Sequence, residues 1–128
     1  MFHAAMVLVL TVLSVNGLSA QELTSKAYAA CMEKAAGATF AMQDCIADEH
    51  ARQDKRLNSA YRALLASIAE KRKAALRDAQ RKWIAFRDAN CAFQGNAEDG
   101  QAGRLAANEC LVTLTAQRAK ELESLKTD

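Results

Sequence analysis

Four cysteines, Cys31, Cys45, Cys91 and Cys110, stand in a 128-residue chain that has no proline. They fall into two neighbouring pairs, separated by 14 (31 to 45) and 19 (91 to 110) residues. Those gaps are too wide for the paired C-x-x-C knuckles of a zinc site. An even count in a short exported chain fits two disulfides better, because oxidising compartments preserve them and small cores need them. Four buried free thiols or an unusual metal site is the competing reading.

Export is read from residues 1–20. An apolar stretch from Ala4 to Leu13 is followed by a more polar segment ending in Ser19-Ala20, small residues that suit cleavage before Gln21. The apolar core falls short of the roughly 20 residues that a membrane-spanning helix needs. Its positive start is weak, since only the amino terminus and His3 could carry charge, which leaves a retained anchor as the alternative. No cysteine follows the apolar core directly, so no lipid-attachment site is expected. The sequence thus divides into a signal peptide, 1–20, and one periplasmic or secreted domain, 21–128, with no stable membrane anchor after cleavage.

About 108 residues remain, enough for one small domain. All 17 basic and 15 acidic residues lie there, so the charge stays near +2. That balance is too mild for a nucleic-acid partner, whose binding domains are usually strongly basic on one face. The 51% hydrophobic share leans on alanine, which favours helix and buries little area per residue. A lean core of this kind gains from covalent support, at about 3 kcal/mol per loop in the chain-entropy treatment.

The pattern predicts an all-α fold, a small bundle of three or four helices stapled by two disulfides. Thr24 or Ser25 caps a first helix that runs to about Lys34, with Ala27, Ala30 and Cys31 on its inner stripe. Ala36-Gly37-Ala38-Thr39 ends it. Thr39 is then an N-cap for a second helix starting at Phe40, with Gln43 placed for a capping box. From Phe40 to Cys91 neither glycine nor proline interrupts, and apolar residues recur at helical spacing: Ile46, Leu57, Tyr61, Leu64, Leu65, Ile68, Leu76, Ala79, Trp83 and Phe86. One straight helix of that length would run about 75 Å, against a radius of gyration of about 13 Å for such a domain. A break is therefore expected at Glu70-Lys71-Arg72-Lys73, where charge crosses the stripe; a continuous rod that dimerises is the rival. Phe93 to Gly103 holds three of the five glycines and reads as the one real loop. A last helix follows from about Arg104, with Leu105, Leu111, Leu114, Leu122 and Leu125 inward. Local pairing, Cys31–Cys45 and Cys91–Cys110, is the expected one of three possible connectivities.

Chemistry is sparse. Beyond the leader His50 is the single histidine, within Asp48-Glu49-His50-Ala51-Arg52, and reads as solvated rather than as a ligand. Paired cysteines leave no thiol nucleophile, and a phosphate-binding loop has no strand to follow. Catalysis, a metal and a cofactor are not expected. Six basic residues within 71–82 (Lys71, Arg72, Lys73, Arg77, Arg81, Lys82) could meet an anionic surface or an acidic partner. A solvated face mixed with Glu70 and Asp78 is the plainer reading. Asp54, Asn58 and Tyr61 recur at i, i+4, i+7, as do Gln80, Trp83 and Arg87, with Asp88 adjoining. Two such stripes on adjacent helices could hydrogen-bond across their interface and fix its register, or line a cleft.

Asp54-x-x-Leu57-Asn58-x-x-Tyr61-x-x-Leu64 followed by Ala79-Gln80-x-x-Trp83-x-x-Phe86-Arg87-Asp88-x-x-Cys91 resembles the LprI-like family of secreted bacterial proteins, named after a mycobacterial lysozyme-inhibiting lipoprotein. Cys31 to Cys45, with Gly37, Thr39 and Met42 between, is similar to the family's opening segment, and Cys110, Thr115 and Arg118 to its closing helix. The resemblance spans about Cys31 to Leu125 and makes 21–128 an LprI-like helical domain. It implies a disulfide-bonded envelope protein, lysozyme inhibition as the namesake's activity, and no catalytic residues. This chain departs from the namesake in lacking its lipid-attachment cysteine. Many lysozymes are basic, so a slightly positive inhibitor must use a local acidic patch or buried contacts. Glu98 and Asp99 on the loop are the first candidates, ahead of Asp44, Asp48 and Glu49, because loops can enter a concave site. The partner expected is a protein, a lysozyme by resemblance; a periplasmic interaction module in envelope assembly or stress is the alternative.

Overall fold

The computed structural model describes residues 23–125; the expected signal peptide at residues 1–20 lies outside the described residues. Four helices follow one another: α1 (Lys26–Ala35), α2 (Thr39–Ser67), α3 (Glu70–Gly95) and α4 (Gly100–Ser124), with no strand among the described residues. α4 packs against both α2 and α3, and α1 packs against α2.

Ser25 caps α1 as expected, its Oγ accepting the Tyr28 backbone N–H at 3.0 Å. The helix ends where Ala36 and Gly37 turn left-handed, at φ 48° and 81°. Its inner side is not the alanine stripe of the sequence reading. Ala27 and Ala30 are exposed, while Tyr28, Cys31 and Met32 are half-buried and Ala35 is buried. Apolarity alone cannot choose a face on a helix this rich in alanine. α2 starts one residue early: Ala38 is its N-cap, Thr39 is already helical, and no side chain caps it. Gln43 makes no capping box and instead donates to Gln101 Oε1 on α4 at 2.8 Å.

The long helical run does break, and it does so at Ile68-Ala69, just before the charged tetrad. Both residues are extended, with ψ 157° and 146°. Leaving the helix there keeps Ile68 against the apolar cluster of Leu57, Ala60, Leu64, Ala119 and Leu122. The tetrad becomes the first turn of α3, with Glu70 paired to Lys73 at 2.9 Å. A carboxylate there also suits the positive end of the helix dipole.

The expected Phe93–Gly103 loop is mostly helix. α3 continues to Gly95 and α4 resumes at Gly100, leaving a turn of residues 96–99. Gly103 is buried inside α4, where a Cβ would collide with the backbone oxygens of Glu98 and Gly95; one on Gly95 would lie 2.8 Å from the Ala107 Cβ. These two glycines mark close helix contact rather than loop backbone.

α4 corrects a further expectation. Of the five leucines expected inward only Leu122 is buried; Leu105, Leu111 and Leu114 are half-buried, and Leu125, the C-cap, is 49% exposed. The buried positions are instead Gly103, Cys110, Val112, Thr115, Ala116, Ala119 and Leu122. A helix gripped from two sides needs small residues on its contact lines, so leucines fall to the flanks. The two disulfides are those expected, Cys31–Cys45 and Cys91–Cys110, with Cα separations of 5.7 and 5.4 Å.

Candidate functional site

The α3 stripe bonds to α4, not to the α2 stripe opposite it in sequence. Gln80, buried, accepts from Arg118 Nε at 3.1 Å, and Arg87 donates to Thr115 Oγ1 at 3.3 Å. Arg87 also pairs with Asp88 at 2.8 Å, and Arg118 with Glu121 at 2.8 Å. Between them lies Trp83, half-buried, with the Arg87 and Arg118 guanidinium carbons 5.2 and 5.8 Å from its ring. Trp83 therefore seals the edge of the apolar cluster rather than filling its middle. On α2, Leu57 is core, Tyr61 packs half-buried against the same cluster, and Asp54 and Asn58 face solvent. The motif residues still converge in part. Asn58, Tyr61, Arg77, Gln80, Arg81 and Ile84 line one shallow groove of about 320 Å³ between α2 and α3.

Glu49, weighed above as a surface acid, is fully buried and is the polar anchor of α1. Its carboxylate accepts from the Ser25 N–H (2.8 Å), Ser25 Oγ (2.5 Å), Arg52 Nε (2.7 Å) and Gln53 Nε2 (2.7 Å). Burial works to raise its pKa, but the bonds from Gln53, Ser25 and Arg52 outweigh it and leave the pKa below the usual glutamate value. No periodicity rule points to this residue, because a lone acid on an apolar face looks like noise until its donors are placed. His50 is not solvated as expected: it is half-buried, and its Nε2 is enclosed without a hydrogen-bond partner.

Between α1 and α4, Leu23, Tyr28, Ala29, Met32, Glu109, Val112 and neighbouring threonines line a mainly apolar cleft of about 420 Å³. Burial, then the Glu109 and Glu49 charges, pushes the Tyr28 phenol above its ordinary pKa. Just before α4, Glu98 and Asp99 are both exposed on the 96–99 turn. Asp99 is the α4 N-cap residue, yet its side chain makes no capping bond. The turn is held from below by the Gly103 contact and by the Cys91–Cys110 disulfide. The basic run of α3 is partly neutralised on its own helix, since Asp78 pairs with Lys82 at 2.8 Å and Arg81 at 3.4 Å. Among the described residues no cluster of three or more His, Cys, Asp or Glu could hold a metal, and no helix is long and apolar enough to cross a membrane.

Two local disulfides around a small-residue central helix, with acids on a fixed turn and no strand among the described residues, define a covalently braced all-α domain. The chain belongs to the family described as lysozyme inhibitor LprI, which matches residues 31–122. An uncharacterized protein of Rhizobium meliloti (strain 1021) is 30% identical over 95 residues, covering 63% of this chain and 68% of that relative. No solved structure matches.

Proposed function

We propose that this protein is an exported, non-enzymatic inhibitor that binds a peptidoglycan-cleaving lysozyme and blocks its cleft. Residues 1–20 serve as signal peptide, and 21–128 work in the periplasm or outside the cell. Membership of the lysozyme inhibitor LprI family carries this reading. The contact is assigned to the α3–α4 turn, where Glu98 and Asp99 are exposed acids on a backbone that a disulfide and a glycine contact hold in place. Acids on a fixed turn suit a basic enzyme twice over: they offer local attraction to a protein of like net charge, and little ordering cost is left for binding.

The test is lysozyme-driven lysis of cell walls with added oxidised protein. Lysis slows with a saturable, stoichiometric dependence, and Glu98→Lys with Asp99→Lys weakens the effect at least tenfold while leaving the melting temperature in place. No slowing against several lysozyme classes overturns the inhibitor reading. Full inhibition by the double variant moves the contact elsewhere on the molecule.

A further inference from the structure

We infer that the outer face of α3 is a self-association surface that takes a second copy of this chain in antiparallel orientation. α3 packs its Leu76–Gln80–Trp83–Arg87–Cys91 face inward, toward α4 and the apolar cluster. Roughly a third of a turn round the helix, six exposed residues form a second line: Ala75, Ala79, Lys82, Phe86, Ala89 and Phe93. Their steps are four, three, four, three and four residues, the heptad seam of a helix pair. Phe86 and Phe93 are 57% and 77% exposed there, although no other described helix covers them. Seven residues apart, the two rings stand on one side of the helix with Ala89 between them.

Large and small alternate over the last three seam positions, Phe86, Ala89 and Phe93. With the second helix reversed, Phe86 meets Ala89 of the second copy and Ala89 meets its Phe86. Lys82 meets Phe93 of the second copy, whose ring can receive both its methylene stem and its charge. A parallel pair would set phenylalanine on phenylalanine instead. Charge points the same way. Residues 70–82 carry six basic and two acidic side chains, whereas residues 83–99 carry Asp88, Glu98 and Asp99 against Arg87 alone, which is paired to Asp88. Reversal lays the basic half of each α3 toward the acidic turn of the other; parallel alignment would set the two basic halves side by side. The result is one isologous two-fold contact.

The phenylalanines contribute only roughly 270 Å² per copy, from the exposures above and about 200 Å² per ring. Even with the alanines and the lysine stem this is below the ~800 Å² per partner of a standard interface. The dimer is accordingly of the weak, transient class.

Sedimentation equilibrium of the oxidised protein alone, without any lysozyme, tests this independently of the inhibitor reading. The wild type shifts from monomer to dimer as concentration rises toward about 1 mM. Phe86→Glu, an exposed site whose circular dichroism and melting stay those of wild type, weakens association at least tenfold. A basic-half reversal (Arg72→Glu, Arg77→Glu) and a turn reversal (Glu98→Lys, Asp99→Lys) each associate poorly alone and recover when mixed one to one. Wild type that stays monomeric throughout, or Phe86→Glu that associates like wild type, overturns the proposal. Monomeric wild type whose lysozyme complex is lost in Phe86→Glu would assign the face to that enzyme and also remove the second copy.

Discussion

Replacing Gly103 by alanine sets two effects of known size against each other. In an ordinary helix interior the change is favourable by about 1 kcal/mol, because glycine costs more backbone entropy than alanine. Here the new methyl would run into the carbonyl oxygens of Glu98 and Gly95, both backbone atoms. Neither can rotate away as a side chain would. Gly95 closes α3 one turn beyond Cys91, which is bonded to Cys110 on α4 itself. Relief thus requires prising the 96–99 turn from α4 against that tie. Overpacking of this sort costs about 1–3 kcal/mol, and the upper end applies where only backbone can move. After the propensity gain, a net loss of about 2 kcal/mol remains, a fall of about 10 °C in Tm for a domain of this size. The same displacement carries Glu98 with it, so inhibition of wall lysis should drop along with stability. Thermal unfolding by circular dichroism reads the first effect and the lysis assay the second. A Gly103→Ala protein that melts at or above the wild-type temperature would refute the close contact between α3 and α4.

Other expectations follow from the polar and covalent anchors. Because the folded pKa of Glu49 is depressed, its stabilisation is complete above the ordinary glutamate pKa and drains away as pH falls through the lower folded value. Glu49→Gln should flatten the acid side of the Tm–pH profile and lower stability by about 2 kcal/mol at neutral pH, since Ser25 and Arg52 lose an acceptor; an unchanged profile would remove Glu49 as the anchor. Trp83→Ala should cost about 2–3 kcal/mol in urea unfolding, below the full price of a buried tryptophan, because the ring is half-buried between two guanidiniums. A loss above about 5 kcal/mol would place it deeper than described. Removing Cys31 and Cys45 together as alanines should abolish hydrogen-exchange protection in α1, whose one buried residue is Ala35, while α2 to α4 keep theirs. Retained protection in α1 would mean that its packing and the Glu49 anchor suffice.

How far the sequence could be read depended on what each residue type can signal. Cysteine separation and the uninterrupted helical period gave the helices, the break and both disulfides, since these are local and one-dimensional properties. Face assignment failed on α1 and α4, where alanine and leucine compete. Ala27 and Ala30 turned outward, and four of the five leucines expected inward at α4 and its C-cap gave way to Gly103, Ala116 and Ala119. Glycine was misread for a related reason: Gly95 and Gly103 mark where two helices touch, a fact about a partner distant in the fold. The motif stripes were paired with the wrong helix. Gln80 and Arg87 bond to Arg118 and Thr115, whose places opposite them depend on α4 lying between α2 and α3. Of the candidate contact, the exposure of Glu98 and Asp99 was legible, whereas the burial of Glu49 was not.

The apolar cluster of Leu57, Leu64 and Leu122 occupies one end of the bundle, and both sulfur bridges sit toward the other, near the start of α2 and the end of α3. The molecule has a greasy pole and a welded pole. Thiol chemistry in its surroundings would slacken the welded pole, which carries the acidic turn, and leave the greasy pole assembled. The lysozyme binding proposed for that turn would then fade with the reducing power of the medium well before the fold itself is lost.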